Sequence, residues 1–341
     1  MNRSKLLCLD GTSPSGGFGY ISAGLLAELQ ARVTAKQPGL GILDDVAAFV
    51  GTSAGSWNAL YLASHTDPSA ALTDIVDFWQ QLNGALAKTV SLRGGVGAIS
   101  GASALLNSSA LRDFLIDYFG SSTTLGDLPH PVMITSFQLD TPDQPIRNWR
   151  ARVFDTFSPS STDADELVVD VALRSSAAPV LLPIYGSMTN EGPGFVDGGV
   201  FANNPSLVAY TNMLNHRSLG RADFQEALVL SFGNGVVPKH LSPRMCKGMA
   251  SWGYALWMLD VCKPLVAIDL MIEASMSLTT FQCEQLLRQA YHRIDPFLGE
   301  GIITSVVVAN AIEKLIAEPT TKLQLDGTLE WMSQSGWLEP A

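Results

Sequence analysis

Residues 5–9 carry a short apolar run that reads as a buried first strand, and a glycine- and serine-rich stretch, 10–19, follows it. Ile21, Leu25, Leu29 and Val33 then recur every fourth position, which predicts a helix with one buried face. Residues 46–50 form a second apolar run that stops at Gly51, and 56–64 resume helical spacing. Strand, glycine loop, helix, strand, glycine turn, helix is the order of a parallel α/β sheet. Further strands are expected at 131–136, 167–171 and 227–232, the last ending on Gly233-Asn234-Gly235. Residues 84–110, rich in Gly, Ser and Ala, predict a loop with short helices, and 140–165 read as connections. From about Met245 to Leu287 the pattern is helical and apolar; 306–317 form one more helix before a polar tail. Neither a repeat nor a linker divides the chain, so one domain over 1–341 is expected, with a core of about 5–300 and a helical extension over 301–341.

Composition narrows the function classes. Apolar residues make up 47% of the 341 positions and charged residues 16%, as in a core-rich globular chain. The formal charge of −11 disfavours nucleic acid and docking on anionic lipid by charge, so any membrane contact should be apolar and local. Cys8, Cys246, Cys262 and Cys283 form no C-x-x-C pair, which removes the usual metal and redox motifs and favours a reducing compartment. The apolar stretch near Met1 is too short for a signal peptide, and no run is long enough to span a bilayer. The expected location is cytoplasmic, with export by a route lacking an N-terminal signal left open.

Three segments carry candidate chemistry. Gly51-Thr52-Ser53-Ala54-Gly55 is a G-x-S-x-G motif between a strand and a helix, the setting in which a sharp turn exposes a nucleophilic serine. The helix that follows points its N-terminus at Ser53 and favours developing negative charge. A serine needs a base, and His65, His130, His216, His240 and His292 stand in uninformative settings. Gly194-Phe195-Val196-Asp197-Gly198-Gly199-Val200 places an acid at the end of a short strand, directly before two glycines. Alone it reads more readily as an ordinary Asp-Gly turn. Residues 10–19 expose several backbone N–H groups that suit a phosphate or an oxyanion, but they spell neither a Walker A loop nor a dinucleotide fingerprint.

In this order the three elements resemble the patatin-like phospholipase family: a glycine-rich loop after the first strand, a G-x-S-x-G elbow, and a downstream D-G-G. Leu173-Arg174-Ser175-Ser176-Ala177-Ala178-Pro179, Gly199-Val200-Phe201-Ala202-Asn203-Asn204-Pro205, Leu230-Ser231-Phe232-Gly233-Asn234-Gly235 and Tyr291-His292-Arg293-Ile294 are similar to the family as well. The resemblance implies a three-layer α/β/α fold about a mostly parallel sheet. It also implies a Ser53–Asp197 dyad, an oxyanion hole at Gly16 and Gly17, and supporting glycines at Gly51, Gly55, Gly198 and Gly199. It implies no metal, no organic cofactor, and a lipid or lysolipid substrate met in transient peripheral membrane contact. A desolvated Asp197 would carry a raised pKa, better suited to a base. Phe18 stands where the family carries Arg, and the loop's glycines lie about three residues further from Asp10.

Other readings remain beside the dyad: a Ser-His-Asp esterase using His216, His240 or His292, an acyltransferase, and a lipid-binding protein with little turnover. Residues 249–281, with Trp252, Trp257, Met271 and Phe281, admit core helices or a cover over the Ser53 cleft.

Overall fold

The strand β1 (Arg3–Leu9) is buried on both sides. Leu7 and Leu9 point into one apolar cluster, Leu6 and Cys8 into another, which is the two-residue alternation of a strand between two layers. The computed structural model describes residues 3–12, 18–88, 106–157, 161–189, 191–220, 226–238, 265–299 and 307–339, with positions 104, 240, 241, 253, 257, 258 and 302. In chain order β1 is followed by α1 (Tyr20–Lys36), β2 (Val46–Thr52), α2 (Ala54–Ala63), α3 (Pro68–Ala71), α4 (Ile75–Lys88) and α5 (Ser109–Phe119). Next come β3 (Val132–Gln138), β4 (Arg150–Asp155), α6 (Val168–Ser175), β5 (Phe195–Asp197), α7 (Gly199–Ala202) and α8 (Ser206–Ser218). The described chain ends with β6 (Glu226–Phe232), α9 (Val266–Leu287), β7 (Tyr291–Ile294), α10 (Val308–Ala317) and α11 (Pro319–Ser335).

The strands form one sheet in the order β4-β3-β2-β1-β6-β7, with β5 also paired to β3. Pairs β1–β2, β1–β6, β2–β3 and β6–β7 are parallel, while β4 and β5 run antiparallel to β3. On one face Leu25, Leu60, Trp79, Leu115, Val171, Ile312 and Leu325 bring α1, α2, α4, α5, α6, α10 and α11 onto the sheet. On the other, Ala209, Met213 and Cys283 bring α8 and α9. This is the expected three-layer α/β/α fold. Among the described residues no helix is long and apolar enough to cross a membrane.

Four local expectations are corrected. Residues 167–171 are not a strand; Val168–Ser175 is a helix whose eight residues are all buried. Burial all round erases the amphipathic signal, and packing overrides the strand preference of Val168, Val169 and Val171. Within 140–165, expected to be connections, Arg150–Asp155 pairs with β3 as an exposed edge strand, which tolerates its arginines. The tail after 317 is the helix α11, which buries Thr321, Leu325, Thr328 and Met332. Two threonines in that stripe hide its apolar face. His292, read in a helical stretch, lies on β7. Most of 89–105 and 242–264 falls outside the described residues.

Candidate active site

Register brings the serine and the acid together. Thr52, the last residue of β2, pairs with Thr135 of β3. One step along β3, Ser136 pairs with Asp197 of β5. β5 thus takes over the β3 edge where β2 stops, and Ser53 and Asp197 emerge side by side at the carboxyl ends of the parallel strands. In open α/β sheets such strand ends are where ligands bind.

The elbow is built by close approach. Ser53 has φ 52° and ψ −122°, a region that non-glycine residues seldom occupy. A Cβ on Gly55 would lie 2.2 Å from the Leu9 carbonyl oxygen, and one on Gly51 would lie 2.4 Å from the Gly55 oxygen. Both glycines are therefore demanded by space between the turn and its neighbours. The Ser53 N–H donates to Ser175 Oγ at 2.9 Å. Ser175 also accepts the Gly198 N–H on its carbonyl at 3.1 Å, so one residue ties the elbow to the acidic turn. Gly198 leaves room for β3: a Cβ there would meet Thr135 Oγ1 at 2.2 Å.

Ser53 and Asp197 are 7% and 5% exposed. The Ser53 hydroxyl faces the Asp197 carboxylate and favours its charged form, and the Gly199 N–H donates to Asp197 Oδ1 at 2.7 Å. Burial pushes the Asp197 pKa up to about 6; these two groups pull it back and are outweighed. Two of the histidines named from sequence as bases, His216 and His292, have other partners. His216 Nε2 is held by Asp155, and His292 Nε2 by Thr328 Oγ1 at 3.0 Å, with its ring stacked on Trp331.

The glycine-rich loop is anchored at both ends. Asn234 donates to the Asp10 carbonyl at 2.6 Å, and Arg293 Nη2 bonds Asp10 Oδ2 at 2.6 Å and Asp295 Oδ2 at 2.8 Å. Burial raises the Asp10 carboxyl to about 7 against the pull of Arg293. At the far end Asn58 donates to the Gly19 carbonyl at 2.9 Å. Gly16 and Gly17 lie outside the described residues. Gly11 is no oxyanion donor here, because its N–H is spent on the Asn203 carbonyl at 2.9 Å.

The sequence profile of the patatin-like phospholipase family matches residues 7–210, a stretch that includes the elbow, Ser175 and the Asp197 turn. The chain belongs to the patatin-like phospholipase family. It is 27% identical over 234 residues to Patatin-like protein 2 of Arabidopsis thaliana, covering 59% of this chain and 56% of that protein. It therefore spans little more than half of the plant relative's length. It is 30% identical over 265 residues to a cGAMP-activated phospholipase of Escherichia coli (strain TW11681), covering 75% of this chain and 69% of that protein. VipD from Legionella pneumophila aligns in structure with a TM-score of 0.38 and 12% identity, over 96% of this chain and 67% of that one.

In this patatin-like chain an apolar cavity of about 360 Å³ opens beside Asp197. Phe18, Leu181, Leu265, Ile268, Met271 and Ile272 line it, and Asp197 and Gly199 reach it from the strand ends. Its size is that of an ordinary small-ligand site, roughly 300–1,000 Å³. Much of one wall is α9. That helix also turns Leu270, Met271, Leu278 and Phe281 outward, each more than half exposed. Of the two tryptophans singled out for a cover, Trp257 is half-buried and Trp252 lies outside the described residues. Sequence reading assigned no task to Ser175, Asn203, Asn234 or Arg293. Each lies in a segment similar to the family, but nothing in those strings says what it touches.

Proposed function

We propose that the protein is a lipid acyl hydrolase that cleaves carboxylic esters through an acyl-enzyme on Ser53, with Asp197 as the proton carrier. The observation that carries this reading is the strand register that sets the strained Ser53 elbow beside a buried carboxylate, Asp197, which itself lines an apolar cavity. Ser53 Oγ attacks the ester carbonyl carbon while its proton passes to Asp197. The negative charge that develops on the carbonyl oxygen lies by the N-terminus of α2 and the glycine-rich loop, where Gly16 and Gly17 are the proposed donors. The intermediate collapses, the carbon–oxygen bond to the leaving alcohol breaks, and Asp197 returns its proton to that oxygen. Water then attacks the acyl-enzyme, again giving its proton to Asp197; the bond from the acyl carbon to Ser53 Oγ breaks, Asp197 returns the proton to Oγ, and fatty acid leaves. A carboxyl with a pKa near 6 is a better base than an exposed aspartate and is still ionised at neutral pH.

The cavity suits the acyl chain, and the apolar outer face of α9 suits the lipid surface from which the chain is drawn. With a formal charge of −11, contact through this face needs no anionic headgroup. Incubation with mixed phosphatidylcholine, lysophosphatidylcholine and triacylglycerol vesicles, followed by mass analysis, is expected to show free fatty acid and the matching deacylated lipid. Release of a phosphorylated headgroup instead would refute ester acyl hydrolysis. Replacing exposed Leu278 and Phe281 together with serine removes apolar contact at the surface and should lower vesicle hydrolysis by about tenfold or more. Hydrolysis of a short soluble ester should stay at the wild-type rate. An equal loss on both substrates would remove α9 from the docking role.

A further inference from the structure

Asn203 is a polar side chain at the site that the acyl-transfer steps leave without a task. It is 1% exposed and lines the cavity beside Asp197 and Gly199. Its carbonyl accepts the Gly11 N–H at 2.9 Å, and its Nδ2 donates back to the Gly11 carbonyl at 3.1 Å. One residue thus engages both polar groups of the Gly11 backbone, far away in sequence. A carbonyl only accepts, so this bond fixes the amide with nitrogen towards Gly11. Oδ1 then lies against the Cα sides of Gly11 and Gly199, where it is buried and has no hydrogen-bond partner among the described residues. A buried acceptor left in that state calls for an explanation, since most are paired.

The place of that amide supplies one. A Cβ on Gly11 would lie 2.3 Å from Asn203 Oδ1 and 3.1 Å from Ser53 Cβ. A Cβ on Gly199 would lie 2.8 Å from Asn203 Oδ1 and 3.1 Å from Asp197 Oδ1. The amide therefore stands between the backbone that touches the serine and the backbone that touches the carboxylate. The same side chain reaches the cavity wall: Nδ2 is 3.0 Å from Met276 Sδ on α9. Its neighbours repeat the link, with Ser275 Oγ donating to the Phe201 carbonyl at 3.1 Å and Asn204 Nδ2 to Thr280 Oγ1 at 3.3 Å.

We propose that Asn203 is a positioning residue, which clasps the first glycine of the glycine-rich loop, Gly11, and holds it in register with Ser53, the Asp197 turn and the α9 wall. This rests on the reading of Ser53 as the nucleophile. Acting through Gly11, whose Cα side lies against Ser53 Cβ, Asn203 sets where the start of the loop stands relative to the nucleophile. Its loss should therefore slow the chemical step and leave soluble-substrate binding nearly intact.

The test uses Asn203→Ala and the near-isosteric Asn203→Asp in the full chain. Turnover of a short soluble ester is divided by the Ser53 titrated with a fluorophosphonate probe, so that unfolded protein does not count. For Asn203→Ala, kcat per titrated site should fall about 10- to 100-fold, the loss that a small misplacement of reacting groups brings, with KM within about twofold of wild type. Asn203→Asp loses the donor to Gly11 and places a second carboxylate by Asp197. It should lower kcat and also move the acid limb of the pH profile upward, because like charges disfavour ionisation. A purely structural residue would lower the folded fraction and the melting temperature only. Wild-type kcat per titrated site in both variants, with an unmoved acid limb, overturns the proposal. If Asn203→Ala does not fold, the kcat and pH profile of Asn203→Asp decide alone. Normal turnover by variants of a protein that labels at Ser53 rejects only the role of Asn203. Failure of the wild type to label at Ser53 rejects the nucleophile and this proposal together.

Discussion

Replacing Ser53 with alanine is expected to reduce ester hydrolysis by about 10⁴-fold or more, the scale seen when a covalent nucleophile is removed. The loss should appear in kcat on lipid and soluble esters alike, because the reacting oxygen itself is gone. The fold should survive. The elbow is held by groups other than the hydroxyl: the Ser53 N–H to Ser175, the Thr52 hydroxyl to the Ala202 carbonyl at 2.7 Å, and the tight contacts of Gly51 and Gly55. Ser53→Gly separates chemistry from strain, since glycine accepts the positive φ of 52° without a Cβ penalty. It should be as inactive as the alanine variant while melting no lower. A variant of either kind that keeps more than a small fraction of wild-type turnover would remove Ser53 from the reaction.

Asp197→Asn should combine a large loss of activity with a gain in stability. Without a base at the serine hydroxyl, kcat should fall by about 10²- to 10⁴-fold. The stability effect has the opposite sign. Folding raises the Asp197 pKa from 3.8 to about 6, so the folded chain holds this proton more tightly than the unfolded chain does. The group's favourable contribution is full below about pH 4 and is lost as pH rises through about 6. Above that range the folded protein carries a desolvated charge that asparagine would remove. The shift bounds the gain at about 3 kcal/mol. Asp197→Asn should therefore melt above wild type at pH 8, and the difference should shrink as pH falls towards 4. In the wild type, kcat/KM should rise with pH through about 6 as the base ionises. A lower melting point for the variant at pH 8, with a flat wild-type profile from pH 5 to 7, would show that Asp197 neither bears a buried charge nor acts as base.

The parts of the fold legible in sequence are those whose cause is local. The runs that became β1, β2, β3 and β6 are apolar, short and bounded by turn residues, and α1 repeats its buried positions every turn. What failed had a local signal opposed by its surroundings. Val168, Val169 and Val171 favour a strand and were packed into a helix; Thr321 and Thr328 sit in the buried stripe of α11 and look like surface. The candidate site divides the same way. G-x-S-x-G and D-G-G are visible as strings, because their glycines answer to crowding within a few residues or against one strand. That Ser53 and Asp197 lie together depends on Thr52 pairing with Thr135 and Asp197 with Ser136. Such register is a long-range fact with no signature in either motif. The clasp of Gly11 by Asn203 and the pairing of Asp10 with Arg293 are long-range in the same sense.

The central claim is that an acyl group resides on Ser53 during turnover. Rapid acid quenching of the protein with a short-chain activated ester, followed by mass analysis of intact chain and peptides, tests it most directly. The expected result is one acyl mass per chain, located on the peptide containing Ser53 and absent from Ser53→Ala. Turnover without an acyl adduct when product release shows a burst, or an adduct on a different residue, would contradict it.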